Sequence, residues 1–308
     1  MSVKPIRNQF ADTMLEVGQE DESLVVIVGD ISHFILQPFA EACPGRYYNI
    51  GICEPAMLSA AAGMSKMGMN PVVHTIAPFI IERSFEQIKL DFCYHKLSGN
   101  LITVGSVFDY ANLGCTHHCY GDFALIKTLP RTQIVYPASA AEFDSLFRQA
   151  YDNEFLTLYR VPGTQHDVEF APEDIVLGKG IKVREGKDLT VVTTGPHLRT
   201  ALNAVDTLTA KGFDPEIIHL PTILPLDTEL LGASISKTKR VIVIEEHMRK
   251  GGVGDDILRA FYDIDGLQYE SLSIPDQFVT GYGTYQDLCA SVDLTTEGLV
   301  ARVTESFK

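Results

Sequence analysis

The sequence predicts an α/β protein of two domains, each built on a largely parallel sheet covered by helices. Three observations carry this. Short, continuously apolar β-rich runs alternate with longer segments of helical spacing. The alternation pauses once, over a stretch rich in Pro, Gly and charge, and then resumes. Strands that are apolar throughout belong to sheets buried on both faces, as parallel strands joined by helices are.

Taken in order, Ile6, Phe10, Met14 and Val17 share one helical face, and Leu24–Val28 follows as the first strand. Met57, Ala61 and Met64 mark a second helix, followed by a strand at Pro71–Thr75. Phe85, Ile88 and Phe92 mark a third helix, before strands at Leu101–Val104, Gln133–Tyr136 and Phe155–Tyr159. These elements make a first domain of residues 1–162. Residues 163–187 hold Gly163, Pro172, Gly178 and Gly180 with little periodicity, and read as a linker. A smaller domain, 188–308, then carries strands at Leu189–Thr193, Glu216–Leu220 and Lys239–Ile244. Its helices run from about His197 to Lys211 and onward from Gly252. There is no internal repeat.

Composition narrows the function classes. A net charge of −15 argues against a nucleic-acid partner, which needs a basic stripe, but leaves a small anionic substrate open. Six cysteines without regular spacing suit a reducing compartment better than a disulfide framework. Met1 to Arg7 lacks the apolar core of a signal peptide, and Leu24–Val28 is far too short to span a membrane. The expectation is a cytoplasmic protein with no membrane partner.

Two local motifs invite chemistry. Glu54 follows the turn at Gly51 and precedes Pro55, which is favoured at the first helical position, so Glu54 reads as a helix N-cap. A carboxylate there can simply complement the helix dipole. It can also serve as a buried acid, given the apolar surround of Ile52, Cys53, Pro55, Ala56 and Met57. Cys115-Thr-His117-His118-Cys119 looks like a zinc cluster. Four ligands within five residues, however, do not readily surround one tetrahedral ion, and no metal site is expected in this chain.

Read together and in order, several segments resemble the transketolase family. They are Gly51-Ile-Cys-Glu54-Pro-Ala-Met57, Pro78-Phe79-Ile-Ile-Glu-Arg83-Ser-Phe-Glu-Gln87, Gly114-Cys-Thr116-His117-His118 with Asp122 to Leu125, and Leu129 to Ala138. In the second domain, Leu224-Pro-Leu-Asp227 and Glu245-Glu246-His247 before Gly251-Gly252 continue the match. The resemblance implies a pyrimidine-binding domain followed by a transketolase C-terminal domain. It implies thiamine diphosphate as coenzyme and ketol transfer between sugar phosphates as the reaction. The family's Gly-Asp-Gly segment, which holds Mg2+ against the diphosphate, has no counterpart here; Gly29-Asp30, Gly121-Asp122 and Gly254-Asp255 do not continue as Gly-Asp-Gly. The expected partner is therefore an N-terminal, diphosphate-binding subunit that supplies the metal site, with two copies of each chain.

Residue by residue, the resemblance makes Glu54 the carboxyl that activates the coenzyme's aminopyrimidine, a role that requires burial. It places Phe79 against that ring, with Ile52 and Arg83 beside it. His117 falls where a family histidine meets the reacting sugar and moves a proton. Arg160 aligns with a phosphate-binding arginine, and Arg7 is a second candidate for the same anion. Ile76 stands where the family often has another aromatic residue. Gly105 and Leu113 replace a histidine and an aspartate that contact the sugar, which implies a branched, deoxygenated or otherwise atypical substrate. Two other readings stay open: the β subunit of a 2-oxo-acid dehydrogenase, and a non-catalytic regulatory homologue.

Overall fold

Among the described residues, 4–307 of a computed structural model, twelve strands form two sheets. They are β1 (Leu24–Val28), β2 (Tyr47–Asn49), β3 (Asn70–Ile76), β4 (Gly99–Val104), β5 (Thr132–Val135), β6 (Leu156–Val161), β7 (Ile181–Arg184), β8 (Leu189–Thr193), β9 (Pro215–His219), β10 (Thr222–Leu224), β11 (Arg240–Met248) and β12 (Gln268–Ile274). The first sheet runs β10-β5-β6-β4-β3-β1-β2 and the second β12-β11-β8-β9-β7. All neighbours are parallel except at two edges, where β10 pairs antiparallel with β5 and β7 with β9.

The continuous apolar runs are the buried strands. Every residue of β1, β4, β6, β8 and β9 is inaccessible, because helices cover both faces. The strands without such runs lie at edges. β12 carries Gln268, Glu270, Ser271 and Ser273, and β2 is largely exposed. β7 lies inside the segment expected to be a linker, so the second sheet begins at Ile181 rather than after 187. Its Lys182 and Arg184 face outward, as edge strands tolerate.

The two halves are joined more closely than a linker implies. β10 comes from the second half of the chain yet completes the first sheet, and one apolar cluster holds Phe123, Ile134 and Tyr136 together with Val192, Ile218, Ile223 and Leu231. Polar groups fasten the same junction. Oε1 of Glu142, on the helix Ala140–Ala150, lies 3.1 Å from Nε2 of both His166 and His219. Burial alone would raise the Glu142 carboxyl, but the charge and hydrogen bonds of His219 and His166 more than offset it and hold it well below the usual range. The three ligand atoms are close enough to hold a metal ion, within 4.8 Å of one another. Nδ1 of His166 is buried without a partner, however. A metal on Nε2 would leave Nδ1 as an unpaired N–H, whereas a donating Nε2 leaves a bare acceptor at lower cost. We read the cluster as a hydrogen-bonded clamp between the halves.

No helix among the described residues is long and apolar enough to cross a membrane.

Candidate active site

The candidate residues gather where the parallel strands of the first sheet end, the edge at which open α/β sheets bind ligands. After β2 the chain turns through Gly51, whose φ of +79° suits glycine. Cys53 is still non-helical, so Glu54 is the first residue of the helix Glu54–Lys66, one position further in than the expected cap. Glu54 is only 1% exposed. Its Oε2 accepts a 2.8 Å hydrogen bond from Nη1 of Arg83; among the described residues Oε1 accepts none.

Arg83 in turn lies over Phe79, its guanidinium carbon 4.2 Å from the ring centre. Phe79 sits on the short helix Ala77–Ile81 that follows β3 directly. The ring of His117 meets Phe79 edge-on at 5.4 Å, and Nδ1 of His117 lies 3.0 Å from the Thr116 hydroxyl. Glu54, Arg83, Phe79 and His117 thus form one unbroken row of contacts. Ile52, 70% exposed, precedes Glu54 on the same turn.

Arg7 belongs to the same edge, because the helix Ile6–Glu20 runs back along the sheet into β1. Its Nε donates to Ser32 Oγ at 2.8 Å, and Ser32 Oγ lies 2.7 Å from Nε2 of His74. Nδ1 of His74 is 2.9 Å from the carbonyl of Ile102. Burial lowers the His74 imidazole to about 4, so the ring is neutral. Its tautomer follows: Nδ1–H donates to Ile102, and Nε2 accepts from the Ser32 hydroxyl. Arg7 is therefore held by a fixed relay through Nε, leaving its terminal nitrogens for an anion.

Arg160 corrects the sequence reading. Its side chain has no accessible surface. Nε donates to Asp122 at 2.7 Å, Nη2 also reaches Asp122, and Nη1 donates to the Glu246 carbonyl at 2.8 Å. The guanidinium is stacked 3.8 Å from the Phe123 ring centre. It ties β6 to β11 and presents nothing to a phosphate. The Cys115–Cys119 segment gathers no metal set: Cys119 points at Glu82, and His118 at Tyr120.

The loop after β4 bears the departures noted above. Leu113, 44% exposed, ends a tight turn in which its N–H donates to the carbonyl of Tyr110 at 2.8 Å. The second domain holds this loop through Glu246, which sequence reasoning placed in a motif without a task. Its Oε1 accepts from the N–H of Phe108 at 2.9 Å and its Oε2 from the Tyr285 hydroxyl at 2.7 Å. Burial, helped by the charge of Asp109, raises the Glu246 carboxyl to about 7 against these bonds and the charge of Arg160. Glu245, which accepts from the N–H groups of Val253 and Gly254, is raised by burial to the same range.

Because the folded pKa exceeds the ordinary 4.5, the native state holds protons that the unfolded chain has released. Their contribution is complete below about pH 4.5 and is lost as pH rises through about 7. Glu246→Gln keeps an acceptor for Phe108 and removes one of the two titrations. Denaturation measured from pH 5 to 8 should therefore show roughly half the wild-type slope from this pair. An unchanged slope would contradict the assignment.

Chemically, this edge offers a buried carboxyl with one free oxygen, a flat aromatic face, an imidazole fixed through one nitrogen and an anchored guanidinium. Such a set can hold a heteroaromatic ring against the carboxyl and move a proton on a neighbouring anionic ligand.

Comparison with known proteins agrees with this arrangement. The model of the transketolase pyrimidine-binding domain matches residues 4–159, and that of the transketolase C-terminal domain matches residues 178–298. The chain is 29% identical over 308 residues to a subunit of the apulose-4-phosphate transketolase of Phocaeicola vulgatus, covering 98% of this chain and 97% of that one. It is 28% identical over 253 residues to a subunit of the 6-deoxy-6-sulfo-D-fructose transketolase of a Clostridium species, covering 81% and 78%. It is also 30% identical over 282 residues to 1-deoxy-D-xylulose-5-phosphate synthase of Halothermothrix orenii, covering 88% of this chain but only 43% of that longer protein. Among solved structures, one described as a split-gene transketolase in an inactive β4 tetramer superposes with a TM-score of 0.88 at 29% identity, covering 99% and 98%.

Proposed function

The chain belongs to the transketolase family, and on that premise we propose that it is one subunit of a thiamine-diphosphate-dependent enzyme that transfers a two-carbon ketol unit between sugar phosphates. The observation that carries this reading is the buried Glu54 carboxyl, its Oε1 unengaged, in one row with Phe79 and His117.

When bound, thiamine diphosphate supplies the electron sink that carries the two-carbon unit. This chain's residues prepare it. Oε1 of Glu54 holds a proton against the ring nitrogen of the aminopyrimidine, while Arg83 pins Oε2 and stops the carboxyl turning. Phe79 presents a flat face to that ring, and the exposed Ile52 adds an apolar edge. Thr116 engages Nδ1 of His117, which frees Nε2 to give or take a proton at a substrate oxygen. Arg7 takes the terminal anion of the sugar in place of the buried Arg160.

The diphosphate and Mg2+ are assigned to a second, N-terminal subunit, with two copies of each chain. The absence of a Gly-Asp-Gly segment supports this division, as do the relatives described as one transketolase subunit among others and as a split-gene transketolase. The proposed substrate is an atypical sugar phosphate or a similar anion. Leu113 puts an exposed apolar side chain on the sugar-side loop, and one relative is described by a deoxygenated, sulfonated ketose.

Turnover by the reconstituted complex tests both points, with xylulose 5-phosphate, apulose 4-phosphate and 6-deoxy-6-sulfofructose as donors. The expected result is ketol transfer with one modified donor preferred at least about tenfold in kcat/KM, since one misplaced polar contact is worth about 1.4 kcal/mol or more. Equal turnover of all three would contradict the substrate assignment, and no ketol transfer from any would contradict the reaction.

A further inference from the structure

Tyr110 lies beside His117 and has no part in the chemistry described so far. Its position depends on Gly105, the residue that closes β4. A Cβ built on Gly105 would strike the Tyr110 ring, and it would stand 3.3 Å from Cγ2 of Ile76. The bare backbone at Gly105, with φ of +66°, lets the tyrosine fold back over the strand end. The ring then meets His117 edge-on, 6.1 Å between centres at 76°. Two aromatic rings, Phe79 and Tyr110, therefore contact the same imidazole.

The phenol end is unengaged. Tyr110 is half-buried, yet among the described residues its hydroxyl has neither a hydrogen-bond donor nor an acceptor. Burial raises the phenol above its ordinary value, the charge of Arg7 opposes this and that of Asp109 adds to it, so the group remains a donor at neutral pH. The tight turn from Tyr110 to Leu113 sets this O–H and the exposed leucine on one short segment.

We propose that Tyr110 is a substrate-binding residue, whose hydroxyl hydrogen-bonds a sugar oxygen beyond the transferred two-carbon unit, so that Tyr110 and Leu113 together select the ketose. A polar tip next to an apolar side chain fits a sugar that keeps one hydroxyl and lacks its neighbour. This rests on the ketol-transfer reading and names the specificity element within it.

The test compares two donors in the complex with its partner subunit. One is whichever of the three ketoses above is turned over fastest. The other is hydroxypyruvate, which delivers the same two-carbon unit without any sugar hydroxyl beyond it. Tyr110→Phe should raise KM for the ketose by about threefold to tenfold, the worth of one neutral hydrogen bond. It should leave hydroxypyruvate kinetics within twofold and thermal stability unchanged. Gly105→Ala displaces the ring, and should both raise the ketose KM and lower kcat with either donor, because His117 loses a neighbour. A Tyr110→Phe enzyme that matches wild type with both donors, or is impaired equally with both, would overturn the proposal. A wild-type complex that turns over neither donor would overturn the ketol-transfer reading, and this assignment with it.

Discussion

A Glu54→Gln chain, paired with its diphosphate-binding subunit, is expected to lose at least about a hundredfold in ketol transfer, the lower end of what a positioned acid or base contributes. Glutamine matches the size and shape of the carboxyl and keeps an oxygen for Arg83, so the row Arg83–Phe79–His117 should survive. What it cannot do is hold a mobile proton at the second position. The loss should appear in kcat, with KM for the sugar nearly unchanged, because Glu54 faces the coenzyme rather than the substrate. Glu54→Ala should be at least as impaired and should also leave Arg83 without its partner. Activity within a few-fold of wild type in both variants would refute the role.

The second large effect lies away from the chemistry. Removing the carboxylate of Asp122 by Asp122→Ala leaves the Arg160 guanidinium fully buried without its counter-charge. Breaking one side of such a pair costs about 3–5 kcal/mol, whereas replacing both partners by apolar residues costs far less. Burial works against the charge on Arg160, and Asp122 more than restores it. The single substitution should therefore lower the urea midpoint sharply, and Asp122→Leu with Arg160→Met should recover most of the loss. Equal destabilisation by the single and double changes would show that the pair acts through packing alone.

This pair also shows where sequence reading stops. An arginine at the end of a strand looks the same whether it faces a ligand or a carboxylate 38 residues away. Its neighbour Glu246 reaches the loop backbone at Phe108 across 138 residues, a contact with no local signal. The strands that were legible to the residue, β1 and β8, are those buried on both faces, where every side chain must be apolar. β7, β10 and β12 escaped because edge strands are short, polar or both. Glu54, Phe79, Arg83 and His117 were legible as members of ordered motifs, and the fold brings them together as one row. Tyr110, Ser32 and His74 were not, since their places depend on a glycine's missing side chain and on a buried, neutral imidazole.

The proposed chemistry turns on Glu54 acting upon a coenzyme held by another chain. The most direct measurement is the rate at which the thiazolium C2 proton of thiamine diphosphate exchanges with deuterated water, followed by NMR in the assembled complex without any sugar. Rapid exchange is expected with the wild-type chain and, with Glu54→Gln, a fall of at least about a hundredfold toward the rate of the free coenzyme. Equally rapid exchange in the two complexes would contradict that role for Glu54.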